Sequence, residues 1–474
     1  MSTPFVTRRG FLQQSLAASA VALVSSRAAE TGPLDIGSRR ELLVDDYLFA
    51  SLNGVELKLH KPEARDVVLT CDAPCEGNIS AYYTLFEDGG LFRAYYRGSH
   101  YDVAKKKDAH PQFACYAESR DGLNWTKPEL GLFEFAGSKA NNIIWAGKEG
   151  THNFAPFKDD NPACAAEARY KALAGGDGLV DGKKKACLHA YHSADGIHWA
   201  RTSETPVITA GAFDSQNLAF WDASRGEYRA YWRIFTNKVR AIRTATSKDF
   251  LHWEHQADLA YGDAPAEHLY TNAVRPYFRA PHLMIAFPTR FQPKNQQVEP
   301  VFMTSRDAVN FRRWEEPLIP ITAPKDRDGN RSNYMARGLL QLPGQDKELS
   351  VYGTEAYYTG VGSRLRQFVY RVDGFVSASA GAAGGTLVGK PLIFAGSKLS
   401  LNVSSRGAVR VKLEDAGGKP LPGFGFEDCG PITGDFIEHH VTWKGGSLAS
   451  LAGRPVRLGF ELRDADLYSL QFQA

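Results

Sequence analysis

The chain has 474 residues, 12% of them aromatic, and a formal charge of +3 at pH 7. Its first 29 residues hold three of the 56 basic side chains and no acidic one, which leaves 53 basic against 53 acidic residues. A neutral chain lacks the basic surface that nucleic acid or anionic lipid requires, so neither is an expected partner.

The N-terminal segment has the pattern of an export signal. Thr7-Arg8-Arg9-Gly10-Phe11-Leu12 is a twin-arginine signature, an apolar stretch follows up to Val24, and small residues at Ala28-Ala29 suit a signal peptidase. We predict that residues 1–29 are a twin-arginine signal peptide and that the protein works in the periplasm or outside the cell. No later segment has the roughly 20 uninterrupted apolar residues of a membrane span.

One short motif, Ser-x-Asp-x-x-(Asn/His)-(Trp/Phe), recurs four times along the chain. Its copies begin at Ser119, Ser193, Ser247 and Ser305, and a degenerate fifth copy is Tyr370-Arg-Val-Asp373-Gly-Phe375. Two strand-like runs precede each copy, so each repeat predicts four antiparallel strands and the whole predicts a five-bladed β-propeller. We interpret the motif as structural: its Asp binds turn amides, and its aromatic ring packs between blades.

The pattern changes near the C-terminus. Residues 378–385 are a run of small residues, and alternating strands such as Ala408–Leu413 and Val456–Leu462 follow. This pattern predicts a β-sandwich, whose simplest role is to pack against the propeller. The predicted domains are therefore the propeller at residues 30–385 and the sandwich at residues 386–474.

Strand order predicts which residues surround a central pocket. In a propeller, each innermost strand begins on the face where the second strand ends. Glycosidic cleavage uses two carboxyl groups roughly 5–9.5 Å apart. Glu76, Asp214 and Glu355 are the acidic residues that strand order places at the pocket face. These three are the candidate catalytic residues. Asp45-Asp46 ranks behind them, in an N-terminal strand expected to close the ring or lead into the first blade.

The same positions carry repeated amides and arginines. Four asparagines precede inner strands, either as structural links between blades or as substrate contacts, and three arginines end second strands. Those arginines either form surface ion pairs or converge to grip a carboxylate or sulfate bidentately. The candidate substrate-binding residues are Asn78, Arg97, Asn153, Asn217, Arg233, His268, Asn272, Arg290 and Arg337.

Six cysteines in a chain of this length do not indicate a disulfide scaffold. Cys71 and Cys75 are close enough in sequence to pair in an oxidising compartment. They have no second Cys/His pair at zinc spacing, so no metal site is predicted. No cofactor is expected either, and a structural Ca²⁺ in the central channel stays an open alternative.

The architecture resembles a known group of enzymes. Five blades, the Ser-x-Asp-Gly-x-x-Trp turns and a trailing sandwich are similar to exported glycoside hydrolases of the family 32 and family 43 type. Lys127–Gly131 followed by Asn141-Asn142-Ile143, and Leu269–Asn272 with Phe287–Arg290, fit the same group. The resemblance implies a carbohydrate substrate and a hydrolase.

The family 32 motifs Asn-Asp-Pro-Asn-Gly, Arg-Asp-Pro and Glu-Cys are absent, and Cys75-Glu76 reverses the last of them. Family 43 uses three acidic residues from different blades, and by analogy Glu76, Asp214 and Glu355 would be that trio. The leading hypothesis is thus a glycoside hydrolase whose glycan is acidic or sulfated if the arginines converge. The alternatives are a carbohydrate-binding propeller without catalysis and a polysaccharide lyase with His152 or His268 as base.

Overall fold

The computed structural model describes residues 32–147, 149–320, 322–325 and 333–474, so the predicted signal peptide lies outside the described residues. Within these ranges the chain folds as a five-bladed β-propeller joined to a β-sandwich, as the sequence predicted. Helical structure in this part is limited to two 3-10 turns, Ala166–Ala168 and Leu448–Ser450. No helix among the described residues has the length and apolar character needed to cross a membrane.

The first four blades are antiparallel sheets in which strand order follows the chain. Blade 1 contains Ala81–Asp88, Leu91–Gly98, Phe113–Ser119 and Trp125–Thr126, with Ile143–Ala146 also paired to its third strand. Blade 2 contains His152–Lys158, Tyr170–Val180, Lys183–Ser193 and Ala200–Arg201. Blade 3 contains Leu218–Asp222, Glu227–Thr236, Val239–Ser247 and Glu254–Asp258. Blade 4 contains Arg275–Tyr277, Ala280–Ala286, Met303–Ser305 and Phe311–Arg313.

Blade 5 closes the ring with a strand from the other end of the propeller. Its first three strands are Met335–Leu340, Glu348–Glu355 and Arg364–Arg371. The fourth is Glu63–Thr70, which precedes blade 1 and pairs antiparallel with the third strand. The segment around Asp45-Asp46 was expected to close the ring or to lead into the first blade. It does not close the ring, because Glu41–Leu42 pairs with the last strand of the sandwich instead.

The sandwich is one ten-stranded sheet built from both ends of the chain. Its two 18-residue strands, Lys398–Asp415 and Val456–Gln473, pair along their whole length, with register shifts between Asn402 and Val403 and between Ser405 and Ala408. The other strands are Leu34–Gly37, Glu41–Leu42, Phe49–Asn53, Glu56–Leu59, Val376–Ala380, Gly385–Gly389, Leu392–Phe394 and Ile432–His440. Residues 34–59 and 376–380 therefore lie in the sandwich sheet, although the predicted boundary placed them in the propeller. The reason is that their apolar side chains complete the sandwich core.

Two insertions rise from the face where the inner strands begin. Blade 1 contributes a hairpin, Tyr101–Asp102 with Lys107–Asp108. Blade 4 contributes a three-stranded sheet of His268–Leu269, Thr289–Gln292 and Gln297–Pro300. These insertions give this end of the channel raised walls.

The repeated Ser-x-Asp motif is structural, as interpreted from the sequence. In blade 1 the Asp121 carboxylate accepts hydrogen bonds from the Asn124 amide at 2.7 Å and the Ser119 hydroxyl at 2.9 Å. Trp125 packs edge-on against Tyr352 of blade 5, with ring centroids 6.5 Å apart. The same amide and hydroxyl bonds recur at Asp195, Asp249 and Asp307.

In the degenerate fifth copy of the motif, Asp373 binds residues of other parts of the fold. Asp373 is fully buried and accepts hydrogen bonds from Tyr277 at 2.5 Å and Arg279 at 3.0 Å, both in blade 4. It also accepts from Arg40 at 3.2 Å and Ser469 at 2.8 Å, both from the sandwich part of the chain. A single carboxylate thus joins two blades and the sandwich.

Asp373→Asn should destabilise the protein much more than the matched change Asp195→Asn. The first removes the buried carboxylate that binds Arg40 and Arg279 and leaves them only the half-exposed Glu438, which costs roughly 3–5 kcal/mol. The second weakens hydrogen bonds in a half-exposed turn, which costs less than about 1.5 kcal/mol. Denaturant unfolding of both variants measures the difference, and equal losses would contradict the assigned role of Asp373.

Candidate functional site

A cavity of about 440 Å³ opens at the end of the channel where the inner strands begin. Every blade contributes to it, together with the two insertions. The lining residues are Ile79, Tyr82, Arg97, Asp108, Gln112, His152, Asp214, Arg240, Tyr270, Phe291, Gln296, Val298, Tyr334, Tyr357 and Tyr358. We call this cavity the central pocket. Its position is the one that strand order predicted.

The central pocket contains a carboxylate–imidazole pair. Asp214 Oδ1 lies 3.0 Å from His152 Nε2, and His152 Nδ1 lies 2.8 Å from Gln112 Oε1. The hydrogen bond with His152, together with the charges of Arg233 and Arg97, lowers the pKa of Asp214 to about 2 although burial opposes this. Asp214 is therefore ionised near neutral pH, while its side chain stays 65% exposed to the pocket.

Three guanidinium groups surround this pair. Arg97 donates to the Tyr357 hydroxyl at 2.7 Å and lies over the Tyr82 ring at 4.9 Å. Arg233 lies 3.8 Å from Asp214 Oδ2, and Arg240 stacks on the Phe291 ring at 4.7 Å. Within the described part of the chain, neither Arg97 nor Arg240 has a carboxylate oxygen within 4.0 Å. Arg97, Arg233 and Arg240 thus outnumber Asp108 and Asp214, the two carboxylates that line the pocket, and leave it with an excess of positive charge.

Backbone strain concentrates around the pocket. Tyr82 and Tyr358, which line it, have φ of 61°, and the adjoining Asn153 and Ala356 have φ of 57° and 56°. Left-handed conformations of such residues cost of order 1–3 kcal/mol and cluster at functional sites. The pairing of the inner strands of blades 1 and 2 also shifts register here, between Ala81 and Thr84 and between His152 and Ala155.

Two of the three predicted catalytic acids do not reach the pocket. The Glu76 side chain is fully buried in a cluster with Tyr96, Asn142 and Lys127, whose Nζ lies 2.7 Å away. Glu355 is fully buried as well and accepts a 2.6 Å hydrogen bond from Arg366. Strand order placed both at the correct end of their blades, but their side chains point into the protein and bind internal cations. Only Asp214 of the trio lines the pocket.

The asparagines are structural links. Asn78 donates to the Tyr101 carbonyl at 3.1 Å, and Asn153 of blade 2 donates to the Ser215 carbonyl at 2.7 Å. Asn217 and Asn272 likewise donate to backbone carbonyls. All four are buried, so the structural interpretation holds and the substrate-binding assignment does not.

The predicted cationic cluster is only partly formed. Arg97 and Arg233 lie at the pocket, but Arg290 is bound by Glu299 at 2.8 Å and Glu267 at 3.3 Å in the blade 4 insertion. His268 contacts Arg240, which together with burial lowers the pKa of His268, and it does not line the pocket. Arg337 lines a different cavity, at the opposite end of the channel.

The remaining sequence candidates have internal partners. Asp45 binds Arg306 at 2.7 Å, and Cys71 and Cys75 are both free thiols. Burial raises the pKa of Cys71 to about 12. Among the described residues, no three His, Cys, Asp or Glu side chains come together as a metal-binding group.

Arg240 and the pocket tyrosines were not predicted from sequence. Burial raises the pKa of Tyr82 and Tyr334 well above the usual value, and that of Tyr357 to about 12, so these hydroxyls stay protonated near neutral pH. Tyr357-Tyr358 follows Glu355 in sequence and was a visible signal, since adjacent tyrosines at a strand end are suited to ligand contact. Arg240 gave no such signal, because it lies in the third strand of its blade.

No family model matches the chain, and no curated protein matches it. Among solved structures, a thermostable family-43 glycoside hydrolase is 12% identical, covering 64% of this chain and 94% of its own, at a TM-score of 0.43. The family-32 β-fructofuranosidase of Bombyx mori is 10% identical, covering 88% and 94%, at a TM-score of 0.41.

An N-acetylgalactosamine deacetylase from F. plautii, solved with blood group B trisaccharide, is 14% identical and covers 68% of this chain and 97% of its own, at a TM-score of 0.45. Enzymes named as family 32 and family 43 are thus among the similar structures. At these identities and TM-scores the likeness carries no residue role over to this chain.

Stability should separate the buried acids from the pocket acid. Glu76→Gln removes the carboxylate charge that the ammonium group of Lys127 binds in a buried cluster. This change should lower the free energy of unfolding by roughly 3–5 kcal/mol. Asp214→Asn removes a carboxylate that is mostly exposed and should cost less than roughly 1 kcal/mol. Denaturant titration at pH 7 tests both. A large loss for Asp214→Asn would mean that Asp214 serves the fold.

Proposed function

We propose that this protein cleaves a glycan that carries carboxylate or sulfate groups, and that the central pocket is its active site. The observation that carries the proposal is the Asp214–His152 pair set beside Arg97 and Arg240, whose guanidinium groups have no carboxylate within 4.0 Å in the described structure. Guanidinium groups without a carboxylate within 4.0 Å suit an anionic substrate. The neighbouring carboxylate–imidazole pair can move a proton, which suits cleavage of that substrate.

Substrate recognition follows from charge and shape. Guanidinium groups form paired hydrogen bonds with carboxylate and sulfate, and a site shielded from solvent strengthens such bonds. The tyrosine rings of the pocket give flat surfaces on which a sugar ring can pack. A volume of about 440 Å³ lies within the usual range for small-molecule sites and is large enough for one or two sugar units.

For bond cleavage we propose hydrolysis with two pocket carboxyl groups and His152. Asp214 is ionised, since its pKa is about 2, so it cannot be the proton donor at neutral pH. It binds the His152 imidazole at Nε2, so the proton available to the leaving glycosidic oxygen is the one on Nδ1, which would exchange its hydrogen bond with Gln112 for one with the substrate. Asp108, on the blade 1 hairpin, is the other carboxylate that lines the pocket and is the candidate for activating water.

A second candidate reaction is β-elimination from a uronic acid. The observation favouring it is that two acids expected to act in hydrolysis, Glu76 and Glu355, are sealed in internal ion pairs. Guanidinium groups that neutralise a uronate carboxylate make its neighbouring proton more acidic. His152 would remove that proton, and a protonated tyrosine such as Tyr357 would protonate the leaving oxygen. Both reactions break a glycosidic bond, and they differ in whether water is added.

The proposal also covers the cellular compartment and the binding partner of the protein. The twin-arginine signature at Arg8-Arg9 leads us to place the reaction in the periplasm or outside the cell, with carbohydrate as the partner. Fusion of residues 1–29 to a reporter, compared with an Arg8→Lys/Arg9→Lys version, tests this export route. Cytoplasmic retention of the unmodified fusion would contradict it.

Incubation with a panel of neutral, uronate-containing and sulfated polysaccharides tests the activity. We expect new reducing ends from an acidic substrate only. Asp214→Asn should lower kcat by roughly 10²–10⁴-fold, because the proton donor loses its partner. Asp195→Asn makes the same chemical change on an outer turn and should leave kcat unchanged.

Asp108→Asn distinguishes the two reactions. Hydrolysis through two carboxyl groups requires Asp108, so the variant should lose activity and the native products should not absorb ultraviolet light. Elimination does not require Asp108 and gives unsaturated, ultraviolet-absorbing products. Glycan binding without cleavage on every acidic substrate of the panel would contradict the enzyme proposal and leave a binding protein.

A further inference from the structure

A second cavity, of about 790 Å³, lies at the opposite end of the channel. It is formed where the inner strands end, whereas the central pocket lies where they begin. Phe157, Phe220, Trp221 and Leu339 give it apolar walls. We call it the distal cavity. None of the residues that line the central pocket lines it as well.

Two guanidinium groups enter this apolar space. Arg275 donates to the Leu339 carbonyl at 3.1 Å, and Arg337 lies over the Phe220 ring at 5.6 Å from its centroid. Neither group lies within 4.0 Å of a carboxylate oxygen in the described part of the chain. Arg337 Nε is in addition buried without a hydrogen-bond partner there. Partly buried guanidinium groups without a carboxylate beside them are costly to the fold, and a bound anion would lower that cost.

The other charged groups of the cavity supply only part of that neutralisation. Lys158 is bound to Asp88 at 2.9 Å and brings more positive charge to the wall. Asp160 also lines the cavity; burial raises its pKa while the charges of Lys158 and Arg337 act the other way, and it forms no ion pair with Arg337 within 4.0 Å in the described structure. Glu87, Asp346 and Arg120 complete the titratable groups on the wall.

The two arginines also repel each other. Burial, followed by the charge of Arg275, lowers the pKa of Arg337 to about 9, and burial lowers that of Arg275 to about 10. Like charges in a space of low dielectric constant destabilise the fold unless a counter-charge lies with them. An anion bound between the two guanidinium groups would turn their destabilising repulsion into a stabilising attraction to the anion.

We propose that the distal cavity binds an oxyanion group, carboxylate or sulfate, through Arg275 and Arg337. The planar guanidinium groups suit bidentate contact with such a group, and the aromatic walls suit the ring of a sugar that bears it. The group can belong to a free ion or to an acidic sugar, and the cavity volume favours the sugar. This site is independent of the proposed activity, since it shares no lining residue with the central pocket.

Calorimetric titration at constant ionic strength tests the proposal, with sodium sulfate in one arm and glucuronate in the other. The protein carries Arg97→Gln in all measurements, so that binding at the central pocket is weakened. We expect one binding event that weakens at least tenfold when Arg337→Gln is added. Tighter binding of glucuronate than of sulfate would identify the sugar acid as the ligand, and the reverse would identify the free ion.

Unfolding of the same proteins gives a second measurement that does not depend on activity. Without anion, Arg337→Gln should be as stable as its parent or more so, because the repulsion is removed. With anion, only the parent should gain stability, as ligand linkage requires. Equal gains in parent and variant, or no binding in either arm, would overturn the distal site and would leave the proposed glycan cleavage unaffected.

Discussion

The closure of the propeller by Glu63–Thr70 is the constraint on which the rest of the structure depends. This strand hydrogen-bonds to Arg364–Arg371, so residues about 300 positions apart in sequence become neighbours in one blade. The pairing joins the last blade to the first and fixes all five inner strands around one axis. The central pocket exists only in the closed ring, because every blade contributes a residue to it.

A closed ring has a channel with two ends, and here the ends differ in chemistry. The central pocket combines an acid–base pair, guanidinium groups and tyrosines, with Asp214 and His152 at its centre. The distal cavity combines aromatic walls with Arg275 and Arg337. Both ends carry positive charge that the described side chains leave partly uncompensated, which is the basis for the anionic ligands proposed at each end.

The sandwich stabilises the ring from outside. Asp373 accepts hydrogen bonds from blade 4 and from the sandwich. Arg306 of blade 4 forms ion pairs with Glu41 and Asp45 near the N-terminus. These contacts lie away from the central pocket. They support the sequence-based prediction that the sandwich packs against the propeller. The sandwich that makes these contacts is built from both the N-terminal and the C-terminal part of the chain.

The sequence alone determined the architecture, because the Ser-x-Asp motif and alternating strands are local signals that repeat, and strand order then located the pocket. It also predicted Asp214, Arg97 and His152 at that end of the channel. Only the tertiary structure decided which side chains face inward: Glu76 and Glu355 lie at the pocket end of their blades but bind Lys127 and Arg366 inside the protein. A register shift of one residue turns a side chain to the other face of its strand, and such shifts depend on contacts between distant segments. For the same reason the sequence could not show that residues 34–59 join the sandwich, since their partners lie more than 300 residues away.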